Sequence, residues 1–523
     1  MTPVRRTPHR ALAALAATML AVSGCSLPVF SPGGDNSARE RQQPGGGTGP
    51  DSLAWRNCAE IPQQLYGQKA PRMRYECATI PVPKDWNNPS NGQTFELALM
   101  RVRSTQQKDR IGSLLINPGG PGGSGIDTAA YLSFGPQVQG LPTEILERFD
   151  VIGFDPRGVS RSSPVKCISD ADLDASYGSE PDPETQAEFD EIVALNQRIG
   201  AECGTKYGAD LPLFSTEQAA RDIDAIRAAV GDEKLTYLGY SYGTLLGATY
   251  AQLFPQNIRA MVLDGAVDPQ QGMVAGSESQ AKGFERAFDN FSAWCRATPA
   301  QCPIAPDARA TLNELLDKAR ANPLRGADGR EATAGWIFYS AVAALYTELY
   351  WPELGKALGA LRDGDPDPMF ELADTYTSRT DQGEYDNQAD ALLAVNCADS
   401  EEKVTAEQVR TLQLEWEKKY PLFGPALAMG MLGCAFWPGA RDPYPTGAAQ
   451  GAPPIVVVGT VGDPATPYEQ TAVLAGMLGT GQVLTWEGEG HTAYPNTRCI
   501  TQAVDGYLID LEVPAKDLRC PAG

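Results

Sequence analysis

A serine framed by glycines, Gly239-Tyr240-Ser241-Tyr242-Gly243, fits the pattern G-x-S-x-G. The residues around it give the pattern a context. Positions 235–239 read as a short apolar strand and 244–254 as a helix stopped by Pro255. The serine therefore falls on a tight strand-to-helix turn that would project its hydroxyl from the end of a sheet. A hydroxyl is a poor nucleophile until a base takes its proton, and histidine is the usual base. The chain has two histidines, and His9 lies in an N-terminal segment of processing type. His491, in a loop after the last predicted strand, is then the candidate general base and acid. The orienting carboxylate should lie between serine and histidine, on a loop at a strand end. Asp463, in Val461-Gly462-Asp463-Pro464, is the expected residue, with Asp264 as its rival. Glu487 and Glu489 stand too close to His491 along the chain to approach its second ring nitrogen well. A tetrahedral intermediate on Ser241 would need two preorganised backbone donors. One is the amide of Tyr242, and the other is expected at Gly120 in Pro118-Gly119-Gly120-Pro121-Gly122-Gly123, where a missing β-carbon permits close approach. No G-x-x-x-x-G-K-[ST] pattern accompanies that loop, so a phosphate cradle is the weaker reading.

These residues need a scaffold that delivers them to one place. Apolar runs at 111–117, 149–154, 235–239 and 260–264 read as strands. Between them, 216–230 carries Ala219, Ile223, Ile226 and Val230 at helical spacing, with Ser215 or Thr216 as a cap. Strands alternating with helices predict an α/β fold with a mostly parallel sheet. After Asp264 the alternation is lost for roughly 180 residues, far beyond an ordinary loop, so that stretch must have structure of its own. Its patterns are helical at 280–294, 311–321, 341–361 and 405–419. The alternation resumes at 454–459, 468–478, 483–486 and 497–511. The expected organisation is an α/β domain at 53–270 and 451–523, with a helical cap, 271–450, inserted after the fourth predicted strand.

The N-terminus bears on location. Arg5, Arg6 and Arg10 precede an apolar run that ends at Ser23 and Gly24, so 1–24 reads as a signal peptide. Val22-Ser23-Gly24-Cys25 resembles a bacterial lipobox, which implies lipidation of Cys25 and anchoring at the outer face of the plasma membrane. Residues 25–52, rich in Gly, Pro, Ser and Gln, read as a flexible tether. Without the three arginines of the leader the charge becomes −25, from −22 for the whole chain. That balance argues against nucleic acid as a partner and against an electrostatic grip on anionic lipid. Beyond Cys25 there are ten cysteines, an even number that favours disulfides in an exported protein, with sequence neighbours the expected pairs. No C-x-x-C pair occurs and one histidine remains outside the leader, so neither a metal nor a cofactor is expected.

Four segments together carry a family resemblance: the run from Asn117 to Gly125, Asp155-Pro156-Arg157-Gly158, the Ser241 pentapeptide, and the run from Val461 to Pro467. They are similar to the secreted tripeptidyl aminopeptidases of actinobacteria, which belong with the proline iminopeptidases in the α/β-hydrolase fold. Pro118 stands where the proline iminopeptidases have histidine, and Ser160 where they have glycine. The resemblance implies peptide substrates with free N-termini and release of short peptides through an acyl-enzyme. A carboxylesterase or lipase would use the same triad. An aminopeptidase must recognise an α-ammonium, and Asp399, Glu401 and Glu402, next to the family-like Cys397 segment, are the expected cap carboxylates. Trp336, Phe338, Tyr346, Tyr350 and Trp351 could line an apolar pocket or fill the core of the cap.

Overall fold

The computed structural model describes residues 53–522. The segments expected to be a signal peptide and a tether, with Cys25, lie outside the described residues. Ten strands form one sheet: β1 Arg56–Asn57, β2 Met73–Pro83, β3 Thr94–Ser104, β4 Gly112–Asn117, β5 Phe149–Phe154, β6 Leu235–Tyr240, β7 Ile258–Asp264, β8 Ile455–Gly462, β9 Gly481–Glu489 and β10 Leu518–Cys520. Their order across the sheet is β1-β2-β3-β5-β4-β6-β7-β8-β9-β10. The β1 to β3 strands and the β3–β5 pair are antiparallel, and everything from β5 to β10 is parallel.

The order places the chemistry. The chain steps outward from β4 to β5 and then back across β4 to β6, so the connections leaving β4 and β6 diverge to opposite sides of the sheet. A crevice opens at such a reversal, beyond the carboxyl ends of the strands. Asn117 at the end of β4 pairs with Gly239 near the end of β6, which brings the glycine loop and the Ser241 turn side by side. Strands β4, β5 and β6 are buried at every residue, as continuous apolar runs covered on both faces should be. The helices Thr216–Ala229 and Tyr242–Leu253 pack on one face, Gly125–Leu132 and Arg498–Asp510 on the other.

Between β7 and β8 the chain forms nine α-helices, from Met273–Ala297 to Leu432–Ala435. Several of them share an apolar core of their own, built around Phe284, Phe288, Phe291, Trp336 and Trp351. The single helix expected at 341–361 is two, Ala334–Leu345 and Trp351–Arg362. Apolar spacing runs on across the break, but Thr347 caps a short turn at Glu348–Tyr350 and Pro352 stands in the first turn of the second helix, where a missing amide costs nothing. Five disulfides join sequence neighbours, as expected: Cys58–Cys77, Cys167–Cys203, Cys295–Cys302, Cys397–Cys434 and Cys499–Cys520.

Candidate active site

Ser241 sits between β6 and the helix Tyr242–Leu253 with φ 54° and ψ −124°, a conformation that costs a non-glycine residue about 1–3 kcal/mol unless its surroundings impose it. They do. Its N–H donates to the Asp264 carbonyl (2.8 Å), and its own carbonyl accepts from Thr244 N (2.8 Å) and Thr244 Oγ1 (2.7 Å). The glycine loop lies directly against this turn. A β-carbon on Gly119 would stand 2.5 Å from the Tyr240 carbonyl oxygen and 3.0 Å from Tyr242 N, so no other residue fits there. The Gly119 amide is taken by Asn117 Oδ1 (3.0 Å), while Gly120 lines the cleft with Ser241. The two expected oxyanion donors are thus carried by adjoining segments, and Tyr242 N opens a helix, where amides lack intrahelical partners.

His491 and Asp463 meet. Nδ1 of the imidazole lies 2.9 Å from each carboxylate oxygen of Asp463. The carboxylate is fixed in turn by Ala465 N (2.9 Å), Thr466 N (2.8 Å) and Thr466 Oγ1 (3.0 Å). Asp264, the rival, points elsewhere: it accepts from Ala493 N (3.0 Å) and Tyr494 N (2.7 Å), below the histidine loop, and burial pushes its carboxyl up to about 7. Burial alone would lower the imidazole pKa, but the charge and hydrogen bond of Asp463, aided by Asp264, raise it above the usual histidine value. With His491 as base, kcat/KM is expected to climb with pH along a limb centred above the ordinary 6.5 or so. A pH–rate profile flat from pH 6 to 8 would contradict this. The same raised pKa means that the imidazolium–carboxylate pair stabilises the fold fully below the unfolded-state pKa, and that this contribution is lost as pH rises through the folded one.

The inserted helices grip the histidine loop. His491 N donates to the Tyr346 carbonyl (2.8 Å), Thr347 and Gly490 form a β-bridge, and the Tyr346 ring meets the imidazole edge-on at 5.3 Å. Ser241 and His491 open into a cleft of about 590 Å³. One wall is a relay of tyrosines, Tyr346 against Tyr376, Tyr376 against Tyr339 and Tyr339 against Tyr177. Of the five aromatic residues that could line a pocket or fill the core of the cap, Tyr346 lines the cleft, whereas Trp336, Phe338, Tyr350 and Trp351 belong to the core of the cap.

The three expected cap acids are not at the cleft. Asp399 faces Thr216, accepting from its N (2.8 Å) and Oγ1 (2.6 Å). Glu402 caps the helix Met273–Ala297 through Val274 N (2.8 Å), and Glu401 is exposed. The carboxylates that do line the cleft are Glu348 and Glu489. Glu348 was hidden by the helix break, whose signal was Pro352. Both Glu489 oxygens accept from Asn290 Nδ2 (2.9 and 3.0 Å).

A strained serine and a carboxylate-held histidine, delivered to one edge of a mostly parallel sheet, are the working parts of a serine hydrolase. The chain belongs to the alpha/beta hydrolase family, whose fold is matched over residues 112–496. It is 40% identical over 464 residues to the serine protease Hip1 of Mycobacterium tuberculosis, covering 85% of this chain and 87% of that protein. It is 35% identical over 513 residues to carboxylesterase B of the same species, covering 94% and 95%. To the tripeptidyl aminopeptidase of Streptomyces lividans it is 29% identical over 483 residues, covering 90% and 86%.

Proposed function

We propose that this serine hydrolase is an extracytoplasmic aminopeptidase, anchored by lipid on Cys25, that releases short peptides, tripeptides among them, from free N-termini. In this reading Ser241 Oγ attacks the scissile carbonyl and passes its proton to His491, while Asp463 holds the imidazole tautomer and stabilises the imidazolium. The amides of Gly120 and Tyr242 take the oxyanion. Collapse expels the amine, which receives the proton from His491, and water admitted by the same base hydrolyses the ester on Ser241.

The observation that carries the reading is the pair of carboxylates, Glu348 and Glu489, lining the cleft that holds Ser241 and His491. Burial raises the pKa of each, and the charge of Glu348 adds to the rise at Glu489. Neither makes an ion pair among the described residues, and Arg286, whose charge reaches Glu489, donates instead to the Asp463 carbonyl (3.0 Å), so a substrate ammonium would supply a contacting cation. The relatives named as peptidases support the same reading. The relative named carboxylesterase B favours the second one, an esterase with the same triad.

Matched tripeptide amides with free and acetylated N-termini, assayed beside short-chain esters, separate the two. The free peptide is expected to turn over at least tenfold faster. Glu489→Gln should raise KM for the free peptide about tenfold, roughly 1.4 kcal/mol, and leave the acetylated one unchanged. Equal cleavage of both peptides would reject the aminopeptidase, and turnover of esters alone would establish the esterase.

A further inference from the structure

We infer that Asp399 is a positioning residue for the oxyanion hole, acting through Thr216 on Tyr242, and that the cap helix carrying it braces both backbone donors. The inference rests on the oxyanion roles of Gly120 and Tyr242 given above.

The helix Gln388–Asp399 belongs to the inserted cap, yet one end reaches Tyr242 through Thr216 and the other packs on the glycine loop at Gly122. At its C-terminal end Asp399 takes both donors of Thr216, N at 2.8 Å and Oγ1 at 2.6 Å. The Thr216 oxygen lies 2.6 Å from the hydroxyl of Tyr242, a side chain buried in the core. With the Thr216 proton committed to the carboxylate, the Tyr242 hydroxyl donates to Thr216 Oγ1, so one directed chain runs from Tyr242 through Thr216 to Asp399. The residue it tethers is the one whose amide follows the nucleophile. At the N-terminal end the helix packs against the glycine loop: a β-carbon on Gly122 would lie 2.6 Å from the Gln388 carbonyl and 3.3 Å from Ala391 Cβ.

The brace is itself anchored. Asp390 accepts from Cys167 N (2.6 Å) and Ile168 N (2.8 Å), and a disulfide ties Cys397 to Cys434. No cation offsets the Asp399 charge among the described residues; the charge that acts on it is another carboxylate, Asp442, which accepts from Ser215 Oγ (2.6 Å). Burial pushes Asp399 up to about 7. A buried, unpaired carboxylate is an expensive way to cap one helix, since an apolar or neutral residue would fill the same space at lower desolvation cost. Its geometry instead serves to hold a hydroxyl chain ending at the oxyanion donor. Small misplacements of such donors are costly, because their worth depends on being aimed before the charge develops.

The test uses the full chain with Tyr242→Phe, Thr216→Val and Asp399→Ala, and with Asp399→Asn as the conservative rescue, assayed on a p-nitrophenyl ester as well as a tripeptide amide. An oxyanion hole serves either acyl substrate, so failure of the peptidase reading leaves the ester arm intact. Three quantities are read: kcat against KM, the affinity of a substrate-like aldehyde whose Ser241 adduct places an oxyanion in the hole, and the melting temperature. Tyr242→Phe, Thr216→Val and Asp399→Ala are expected to lower kcat about tenfold with KM within about twofold, and to weaken the aldehyde by the same factor. Asp399→Asn can still accept from Thr216 N and donate to Thr216 Oγ1, so it should keep kcat within about threefold. The inference is overturned if Tyr242→Phe and Thr216→Val, or Asp399→Ala, retain kcat within about twofold. It is also overturned if kcat falls without weaker aldehyde binding, or if Asp399→Asn loses as much as the other three.

Discussion

Ser241→Ala is expected to lower turnover by about five to six orders of magnitude while leaving the protein folded. The size follows from what the hydroxyl does: without it no acyl-enzyme forms, and the base and oxyanion donors are left to assist water alone. The fold should survive because the strained turn is held by backbone contacts, Ser241 N to Asp264 O and Thr244 N to Ser241 O, which alanine keeps. Covalent labelling by a fluorophosphonate gives the same answer independently. The wild-type protein should be labelled and the alanine variant should not. A variant that kept its labelling would move the nucleophile to another residue.

The two buried aspartates should separate just as sharply. Asp463→Asn is expected to lower kcat about 10⁴-fold, because the amide would donate to Nδ1 and present the wrong tautomer to Ser241. Losing the carboxylate also removes the main influence raising the imidazole pKa, so the limb of the pH profile should move to lower pH. Asp264→Asn should cost less than about tenfold in kcat, since Asp264 Oδ2 takes both the Ala493 and Tyr494 amides and an amide oxygen can do the same. Its expected effect is on stability, on the order of 1–3 kcal/mol if one of those amides is left unsatisfied. Equal losses in the two variants would mean that the acid has been misassigned.

Much of this arrangement was legible because the parallel strands are short apolar runs, and their order with the intervening helices places their carboxyl ends together. What escaped the sequence escaped for particular reasons. Strands β2 and β3 mix charged and apolar residues, and β2 contains two prolines, as edge-side antiparallel strands can. The break at Glu348–Tyr350 falls inside continuous apolar spacing, and periodicity does not register a turn that leaves the spacing intact. That break creates the segment which meets His491. Asp399 was placed at the substrate because its neighbours in sequence resemble a family motif. Which way the last turn of a helix faces depends on what packs against it, and here that is Thr216.

The bond between His491 N and the Tyr346 carbonyl, with the Thr347–Gly490 bridge beside it, ties the proposed base to the inserted helices by main-chain contacts. A rigid swing of those helices away from the sheet would pull the imidazole from Asp463 with them. The cap is therefore part of the reaction chamber and not its door. A peptide substrate of the proposed activity would thread in along the tyrosine wall, which would favour loose chain ends over folded ones. Selection by tail flexibility would then come before any recognition of sequence.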